Sequence, residues 1–209
     1  MKNLVFTVLL LNLTFLSYGQ HILTVENNMM RPDDEIVKQQ VDYKEPGRAG
    51  ANVLWNFSTL NLQNDSYRLF YVEHKDGQIR GVEHNTRYYY HLSGDSLLQT
   101  GYENPTTISI DEQPELLMKF PVHYGDSTFS YFNANGRYCE RLHISAMGTV
   151  RTYADAYGMM VLPNGDTMKN VLRIRSLKII AEAIQASGFA DADAAYAELN
   201  TATGVTITP

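Results

Sequence analysis

The segment Gly94-Asp95-Ser96-Leu97 has the residue types and order that surround the nucleophilic serine in one class of esterases. Such a serine needs a histidine base and an acidic residue that orients the base. That class takes both from an Asp-x-x-His block near the C-terminus. No Asp of this chain has His three residues later, and the last histidine is His143. A Gly-x-Ser-x-Gly segment is also missing, so the spacing argues against serine catalysis.

The same letters recur as Gly125-Asp126-Ser127 and Gly165-Asp166-Thr167. One enzyme does not need three nucleophile blocks, whereas a β-rich chain needs several turns. Glycine permits the bend, aspartate hydrogen-bonds nearby backbone, and serine or threonine begins the next strand. The repeat therefore predicts three hairpin turns.

Two other sets of residues have types suited to catalysis or metal binding. Cys139 and His143 could form a thiol and its base, but four residues of extended strand span about 13 Å, too far for a hydrogen bond. The repeated Val-Glu-His segments, 72–74 and 82–84, contain metal-ligand types. A tight turn at Asp76-Gly77 predicts pairing of His74 with Ile79 and spreads the four groups along a hairpin, so cross-strand charge pairs are favoured over a metal site. The sequence predicts no cofactor.

A hydrolase would use paired carboxylates, and the candidates are Asp126, Asp155 and Asp166. Carboxylate catalysis of this kind needs two such groups within about 10 Å of each other in a cleft. Sequence spacing alone does not bring any two of them together, so this function ranks below noncatalytic binding.

Two groups of residues are candidates for ligand binding. Tyr88 and Tyr90 share one face of a strand, where rings stack on sugars or fill a core. Basic residues fall on the outward faces of the late strands and would form a stripe that attracts an anionic glycan or lipid head group. The members of this stripe are Arg137, Arg141, Arg151, Lys169, Arg173 and Arg175, of which Arg141, Arg151, Arg173 and Arg175 are the preferred candidates.

Period-two alternation predicts a mainly β fold. In the segment 167–175, Met168, Leu172 and Ile174 alternate with basic residues, and the segment 137–145 alternates in the same way. Turn signals include Asp76-Gly77, Asn135-Gly136 and Met147-Gly148. Short strands at this spacing predict an antiparallel meander that forms a sandwich or a half-barrel.

Three regions differ in composition. Residues 1–19 combine Lys2, an apolar run and a small-residue cleavage site, which predicts a secretory signal and a periplasmic or extracellular location. Residues 20–175 form the β domain. Residues 176–209 are rich in alanine, and Leu177, Ile180 and Ile184 fall on one helical face, so a helical tail that begins at Ser176 is expected. No segment is long and apolar enough to be a spanning helix.

The segment Asn135–Arg175 contains Gly148, Ala154-Asp155, Leu162-Pro163 and Asn170-Val171-Leu172-Arg173. With the segments Gly50–Leu60 and Phe120–Ser127, it resembles a group of secreted β-rich proteins of unknown function from Gram-negative bacteria of the gut and oral type. The resemblance covers about Glu35 to Lys178. It implies a fold and an exported location but no activity.

The net charge of -6 gives no electrostatic reason to expect nucleic acid as a partner. We expect an exported, noncatalytic binding or structural module, whose partner is a glycan, a lipid or another surface protein. The main alternative is a periplasmic carrier of lipid or another hydrophobic ligand. A half-barrel with a large apolar cavity favours the carrier, whereas a packed sandwich favours surface binding.

Overall fold

The computed structural model describes residues 22–186 and Ala197. Within this part of the chain, ten strands form a single, mostly antiparallel sheet that does not close, which confirms the predicted mainly β fold. A short helix, α1 (Val25–Asn28), precedes the sheet. The strands are β1 (Glu35–Lys38), β2 (Gly50–Asn56), β3 (Tyr67–Glu73), β4 (Ile79–Glu83), β5 (Thr86–Ser93), β6 (Ser96–Glu103), β7 (Thr107–Lys119), β8 (Ser127–Tyr138), β9 (Leu142–Val161) and β10 (Thr167–Ala186).

Strands β3 to β10 are antiparallel neighbours in chain order, as the meander prediction requires. β1 extends the sheet beyond β3, whereas β2 pairs in parallel with β9. β8 pairs with β9 over residues 142–153, and β2 pairs with β9 over residues 156–161. Because β10 pairs with β9 over its whole length, β8 and β2 share the opposite edge of β9.

The sheet curves strongly across β6 to β10. Four inter-strand spacings of about 4.8 Å would separate β6 from β10 by roughly 19 Å in a flat sheet. Instead, Tyr102 of β6 and Ile180 of β10 line the same cavity, and Lys178 of β10 forms an ion pair with Glu115 of β7. The fold is therefore a half-barrel with a concave face rather than two packed flat sheets.

The N-terminal segment fills one end of this half-barrel. Leu23 pairs with Val122, and Val25 of α1 packs against a cluster of buried residues. The cluster joins the ends of several strands and consists of Leu97, Phe120, Val122 and Ala154. Burial of this apolar surface holds the first described residues against the sheet. The opposite end, beyond Lys178, remains hollow.

The two faces of β7 reverse the usual polarity of a sheet. On the convex face Ile108 and Ile110 are exposed, with 47% and 64% of their surface accessible. On the concave face Ser109 is buried and Asp111 is half-buried. The same reversal occurs on β10, where Ile179 is exposed while Lys178 reaches the buried Glu115. The interior of the half-barrel is thus more polar than a sandwich core.

The three Gly-Asp-Ser/Thr repeats form turns, as predicted. Gly94, Gly125 and Gly165 all have positive φ, between 61° and 93°, which only glycine adopts without strain. The residue after each Asp begins the next strand, namely β6, β8 and β10. Asp126 accepts a hydrogen bond from the His123 backbone N–H at 2.8 Å. The esterase-like letters are therefore turn residues in this fold.

Two predicted turns are wrong. Asn135-Gly136 lies inside β8, and Met147-Gly148 lies inside β9. These glycines serve close packing instead, because a Cβ at Gly136 would lie 1.9 Å from the Ile108 carbonyl oxygen. A Cβ at Gly148 would lie 2.0 Å from the Ile179 carbonyl oxygen.

The expected helix that begins at Ser176 is also wrong over residues 176–186, which continue β10. Each of these residues pairs with a residue of β9, from Ser176 with Thr152 to Ala186 with Leu142. A ladder along the 20-residue strand β9 outweighs the weak helix preference of the local sequence. The rest of the expected tail, apart from Ala197, and the predicted 1–19 leader lie outside the described residues.

Gly158 gives a direct test of the parallel pairing between β2 and β9. A Cβ there would lie 1.8 Å from the Val53 carbonyl oxygen, so Gly158→Ala must push the two strands apart. We expect the free energy of unfolding, measured with urea, to fall by about 1–3 kcal/mol or more, as at other overpacked sites. Gly125→Ala is the control, since its Cβ would meet open space and only the positive φ is strained. Equal losses in the two variants would contradict this pairing.

Candidate functional site

A cavity of about 430 Å³ occupies the hollow end of the half-barrel. Its walls come from β6 to β10, which bring residues far apart in sequence onto one concave surface. The apolar lining consists of Phe132, Ala134, Leu142, Ile144, Ala146, Ile180, Ala183 and Ile184. The polar lining consists of Gln99, Tyr102, Thr107, Ser109, Asp111, Glu115, Tyr138, Ser145, Lys178 and Glu182.

Strand register explains why the cavity is hollow. Asp111 lies opposite Ala134, which lies opposite Ala146, which lies opposite Glu182. Directly opposed residues project to the same face of a sheet. This row therefore has a carboxylate at each end and two methyl groups in the middle. The small central side chains leave the volume that larger residues would fill.

An ion pair forms the inner end of the cavity. The Lys178 ammonium donates a hydrogen bond to the carboxylate of Glu115, a residue that is only 6% exposed. The Lys178 ammonium also lies 4.5 Å from the centre of the Phe132 ring, a cation–π contact. Since a buried charge is costly unless it is paired, Glu115 and Lys178 must stay together. They separate the cavity from the packed core around α1.

Burial and neighbouring carboxylates raise the pKa of Asp111 and of a nearby tyrosine. Burial, and next the negative charge of Glu115, raise the pKa of Asp111 to about 6, against a smaller opposing effect of Lys178. Burial, followed by the charges of Glu182 and Asp111, raises the pKa of Tyr102. Asp111 therefore lies close to Glu115, and Tyr102 lies close to Glu182 and Asp111.

Ser109 and Glu182 line the cavity without a hydrogen-bond partner among the described residues. Ser109 is 7% exposed, and its hydroxyl makes no hydrogen bond within residues 22–186. Glu182 forms no ion pair or hydrogen bond with the described residues. Glu182 is exposed, whereas a buried hydroxyl such as that of Ser109 normally has a partner from protein or solvent. The cavity thus offers a hydroxyl and a carboxylate to a bound molecule.

Neither predicted tyrosine is among the residues that line this cavity. Tyr90 packs against the buried cluster, with its ring centre 6.3 Å from that of Tyr71, and burial raises its pKa above the usual range. Tyr88 is half-buried and pairs with Tyr102 of β6. Tyr89, on the other face as predicted, contacts His74 at 5.0 Å.

The basic residues of the predicted stripe do not all converge. Arg151 and Arg175 are diagonal neighbours, because Tyr153 pairs with Arg175 and Arg151 donates to the Tyr153 hydroxyl at 3.2 Å. Arg141 lies ten residues from Arg151, in the turn before β9, or about 33 Å along an extended chain. Lys169 is exposed near the start of β10, and Arg137 is exposed on β8.

Arg173 is fully engaged within the protein. Its Nε and Nη2 donate to the two Asp155 carboxylate oxygens at 2.7 and 2.9 Å. Its Nη1 donates to the carbonyls of Pro46 and Gly47 at 2.9 and 3.0 Å, and the guanidinium lies 5.8 Å from the Trp55 ring. Arg173 therefore fixes the segment before β2, and its donors are not directed at an open surface.

Each of the three carboxylates considered for a hydrolase forms a hydrogen bond or an ion pair with another residue of the fold. Asp126 accepts from His123 in its turn, Asp155 pairs with Arg173, and Asp166 accepts from the Asn164 side chain at 2.6 Å. None of the three lines the 430 Å³ cavity.

The repeated Val-Glu-His segments form a hairpin shifted by one residue from the expected register. Glu73, rather than His74, pairs with Ile79. His84 lies 4.5 Å from the Tyr67 ring, whereas His74 contacts Tyr89 of β5. Over the described residues, no three His, Cys, Asp or Glu side chains are arranged to hold a metal ion.

Residues Cys139 to Arg141 form the turn between β8 and β9, so the predicted single strand through Cys139 and His143 is wrong. Cys139 has a φ of 50°, and its N–H donates to the Thr106 carbonyl at 2.6 Å. Tyr138 pairs with Leu142 across this hairpin, and both line the cavity.

Sequence reasoning missed the charged residues of the cavity for two reasons. Lys178 and Glu182 were assigned to a helix, which hides their shared face on β10. On β7, Asp111 and Glu115 are four residues apart, which would place both on one face of a regular strand. A bulge between Asp111 and Gln113 interrupts the alternation that would reveal this strand in the sequence. The available signal was Ile-Ser-Ile-Asp at 108–111, where polar and apolar residues alternate strictly.

Comparison with family models, curated proteins and solved structures finds no match to the chain. Among the described residues, no helix has the length and hydropathy needed to cross a bilayer.

Loss of the Arg173 side chain should destabilise the fold. Arg173→Met leaves Asp155 and two carbonyls without their donors, so we expect a loss of about 1.5–3 kcal/mol in urea unfolding. Arg151→Met is the matched control, because Arg151 is exposed and should change stability by about 0.5 kcal/mol or less. Because Arg173 lowers the pKa of Asp155, the difference should shrink as the pH falls through that lowered pKa. Similar losses in both variants would contradict the assigned role.

The ionised Asp111 side chain should reduce the free energy of unfolding at neutral pH. Its folded pKa of about 6 lies above its ordinary value, so folding gains stability as the pH falls through 6 and loses it as the pH rises. We expect Asp111→Asn to be more stable than the native protein by about 1–2 kcal/mol near pH 7. The gain should disappear below about pH 4. Glu112→Gln, on the exposed face, is the control; a stability loss in Asp111→Asn at pH 7 would refute this assignment.

Proposed function

We propose that the protein is an exported, noncatalytic binding module that holds a small hydrophobic or amphiphilic molecule in the half-barrel cavity. The observation that carries the proposal is the cavity of about 430 Å³ on the concave face, with apolar walls and a few polar groups. Small-molecule sites occupy about 300–1,000 Å³ and have this kind of lining. The volume suits one chain or a small ring system.

The division of the half-barrel into two ends supports binding over a purely structural role. The N-terminal segment supplies Leu23, Val25 and Met29 to fill one end. Nothing equivalent from residues 22–186 fills the other end, where small residues such as Ala134 and Ala146 line the hollow. Each unfilled cavity costs stability, so a cavity of this size is expected to serve a ligand.

The proposed ligand chemistry favours the lipid or hydrophobic-carrier class over a glycan or a protein surface. Ring-stacking on a sugar needs open aromatic faces, and Tyr90 is packed in the core. The apolar walls instead match an alkyl chain or a nonpolar ring. The leader predicted for residues 1–19 supports an exported location, where such a carrier would act in the periplasm or outside the cell.

A large side chain that fills the cavity should weaken ligand binding. Ala146 lies in the middle of the concave row, so Ala146→Phe should occupy the cavity and weaken binding of a neutral fluorescent probe, N-phenyl-1-naphthylamine, at least about tenfold. Ala181→Phe is the matched control, because Ala181 is exposed on β10 and is absent from the cavity lining. The measurement is a fluorescence titration, with circular dichroism to check that both variants fold.

Equal probe affinity in the native protein and Ala146→Phe would contradict the assigned site. Native mass spectrometry of the mature protein from its own host provides an independent test. A bound small molecule that is released chemically unchanged after long incubation would support noncatalytic binding. Conversion of that molecule during incubation would contradict it.

A further inference from the structure

The charges of the cavity are unbalanced. Three acidic residues and one basic residue line it, so full ionisation leaves two negative charges. Lys178 is already paired with Glu115. The unmatched carboxylates are therefore Asp111 and Glu182, which lie at the two ends of one cross-strand row.

Both carboxylates project onto the concave face, on either side of the Ala134 and Ala146 methyl groups. Tyr102 lines the same cavity, and both charges raise its pKa after burial does so. The unpartnered Ser109 hydroxyl lies on β7 two residues before Asp111 and on the same face. Two acceptors, a phenol and a hydroxyl thus surround one part of the hollow.

An anionic ligand would meet a different environment. Its natural partner, Lys178, is held by Glu115 and by the Phe132 ring. Binding a carboxylate or phosphate there would have to break that ion pair and leave the 6%-exposed Glu115 without its partner. It would also bring a third uncompensated negative charge close to Asp111 and Glu182.

From this arrangement we propose that the cavity selects an amphiphile with a cationic amine head group, which binds between Asp111 and Glu182 while its apolar tail lies against Leu142, Ile144 and Ile184. This inference rests on the proposed function and specifies its ligand class. An ammonium group donates three hydrogen bonds, and the two carboxylates with the Ser109 hydroxyl supply acceptors for them. The three residues against the tail line the cavity, from Leu142 at 2% exposed to Ile184 at 48% exposed.

The groups that face the amine set its pH dependence. These are Asp111 and Glu115 on β7, Lys178 and Glu182 on β10, and Tyr102 on β6. Asp111 has a pKa of about 6, so acidification through that value removes one of the two attractive charges. Binding of an amine should therefore weaken at acidic pH, while binding of a neutral analogue should not change.

The test is displacement of N-phenyl-1-naphthylamine by three ligands with the same tail, namely dodecylamine, dodecanol and dodecanoate, below their micelle concentrations. At about pH 8 we expect dodecylamine to displace the probe at a concentration at least about tenfold lower than dodecanol requires. Dodecanoate should require a higher concentration than either of them. The preference for dodecylamine over dodecanol should fall about tenfold at roughly pH 5.

Variants connect the preference to the two carboxylates. Asp111→Asn and Glu182→Gln should each reduce the amine preference several-fold without changing dodecanol affinity. Asp111→Asn should also remove the loss of preference between pH 8 and pH 5. Glu112→Gln is the matched control, because Glu112 neighbours Asp111 but is exposed and lies outside the cavity lining.

The outcomes separate this inference from the proposed function. Equal displacement by all three ligands, or a preference for dodecanoate, overturns the cationic head group while leaving a hydrophobic site in place. An amine preference that persists in both carboxylate variants also overturns it. If neither the probe nor any of the three ligands binds the native protein, the proposed function itself fails.

Discussion

The ion pair between Glu115 and Lys178 is the constraint on which the hollow end of the molecule depends. It joins β7 to β10 across the concave face, two strands that are separated by β8 and β9 in the sheet. Because the buried Glu115 carboxylate is costly without its partner, the pair holds the sheet in its curved form. It also forms a boundary, with the apolar core around α1 on one side and the cavity on the other.

Small residues make this curvature possible. Gly136, Gly148 and Gly158 lie where the backbone of a neighbouring strand approaches too closely for a Cβ. Ala134 and Ala146 leave space in the middle of the concave row, where larger side chains would restore a packed core. The same sheet can therefore be filled at one end and hollow at the other without any change in topology.

Much of the fold was predictable from local patterns, because alternation and turn chemistry act over a few residues. The three Gly-Asp-Ser/Thr turns and the meander are examples. The glycines inside β8 and β9 were misread because a turn and a close strand approach both favour glycine. The end of β10 was misread as a helix because its strand state depends on pairing with β9, which a local pattern does not contain.

The candidate site was less predictable than the fold. The tyrosine and arginine candidates were chosen as conspicuous residue types, and Arg173 proved to hold the segment before β2 instead. Asp111 and Glu182 are separated by 71 residues in sequence and meet only through the register of four strands. Their shared face emerges only when that register is known, since a one-residue shift would turn either side chain outward.

The most direct test of the cavity as a ligand site is an NMR measurement on protein with labelled alanine methyl groups. Intermolecular NOEs should appear between the methylene groups next to the amine of bound dodecylamine and the methyl groups of Ala134 and Ala146, with none to the exposed Ala181. NOEs confined to Ala181 or other residues of the convex face would place the ligand on the opposite side of the sheet. That result would contradict the central claim that the half-barrel holds its ligand inside.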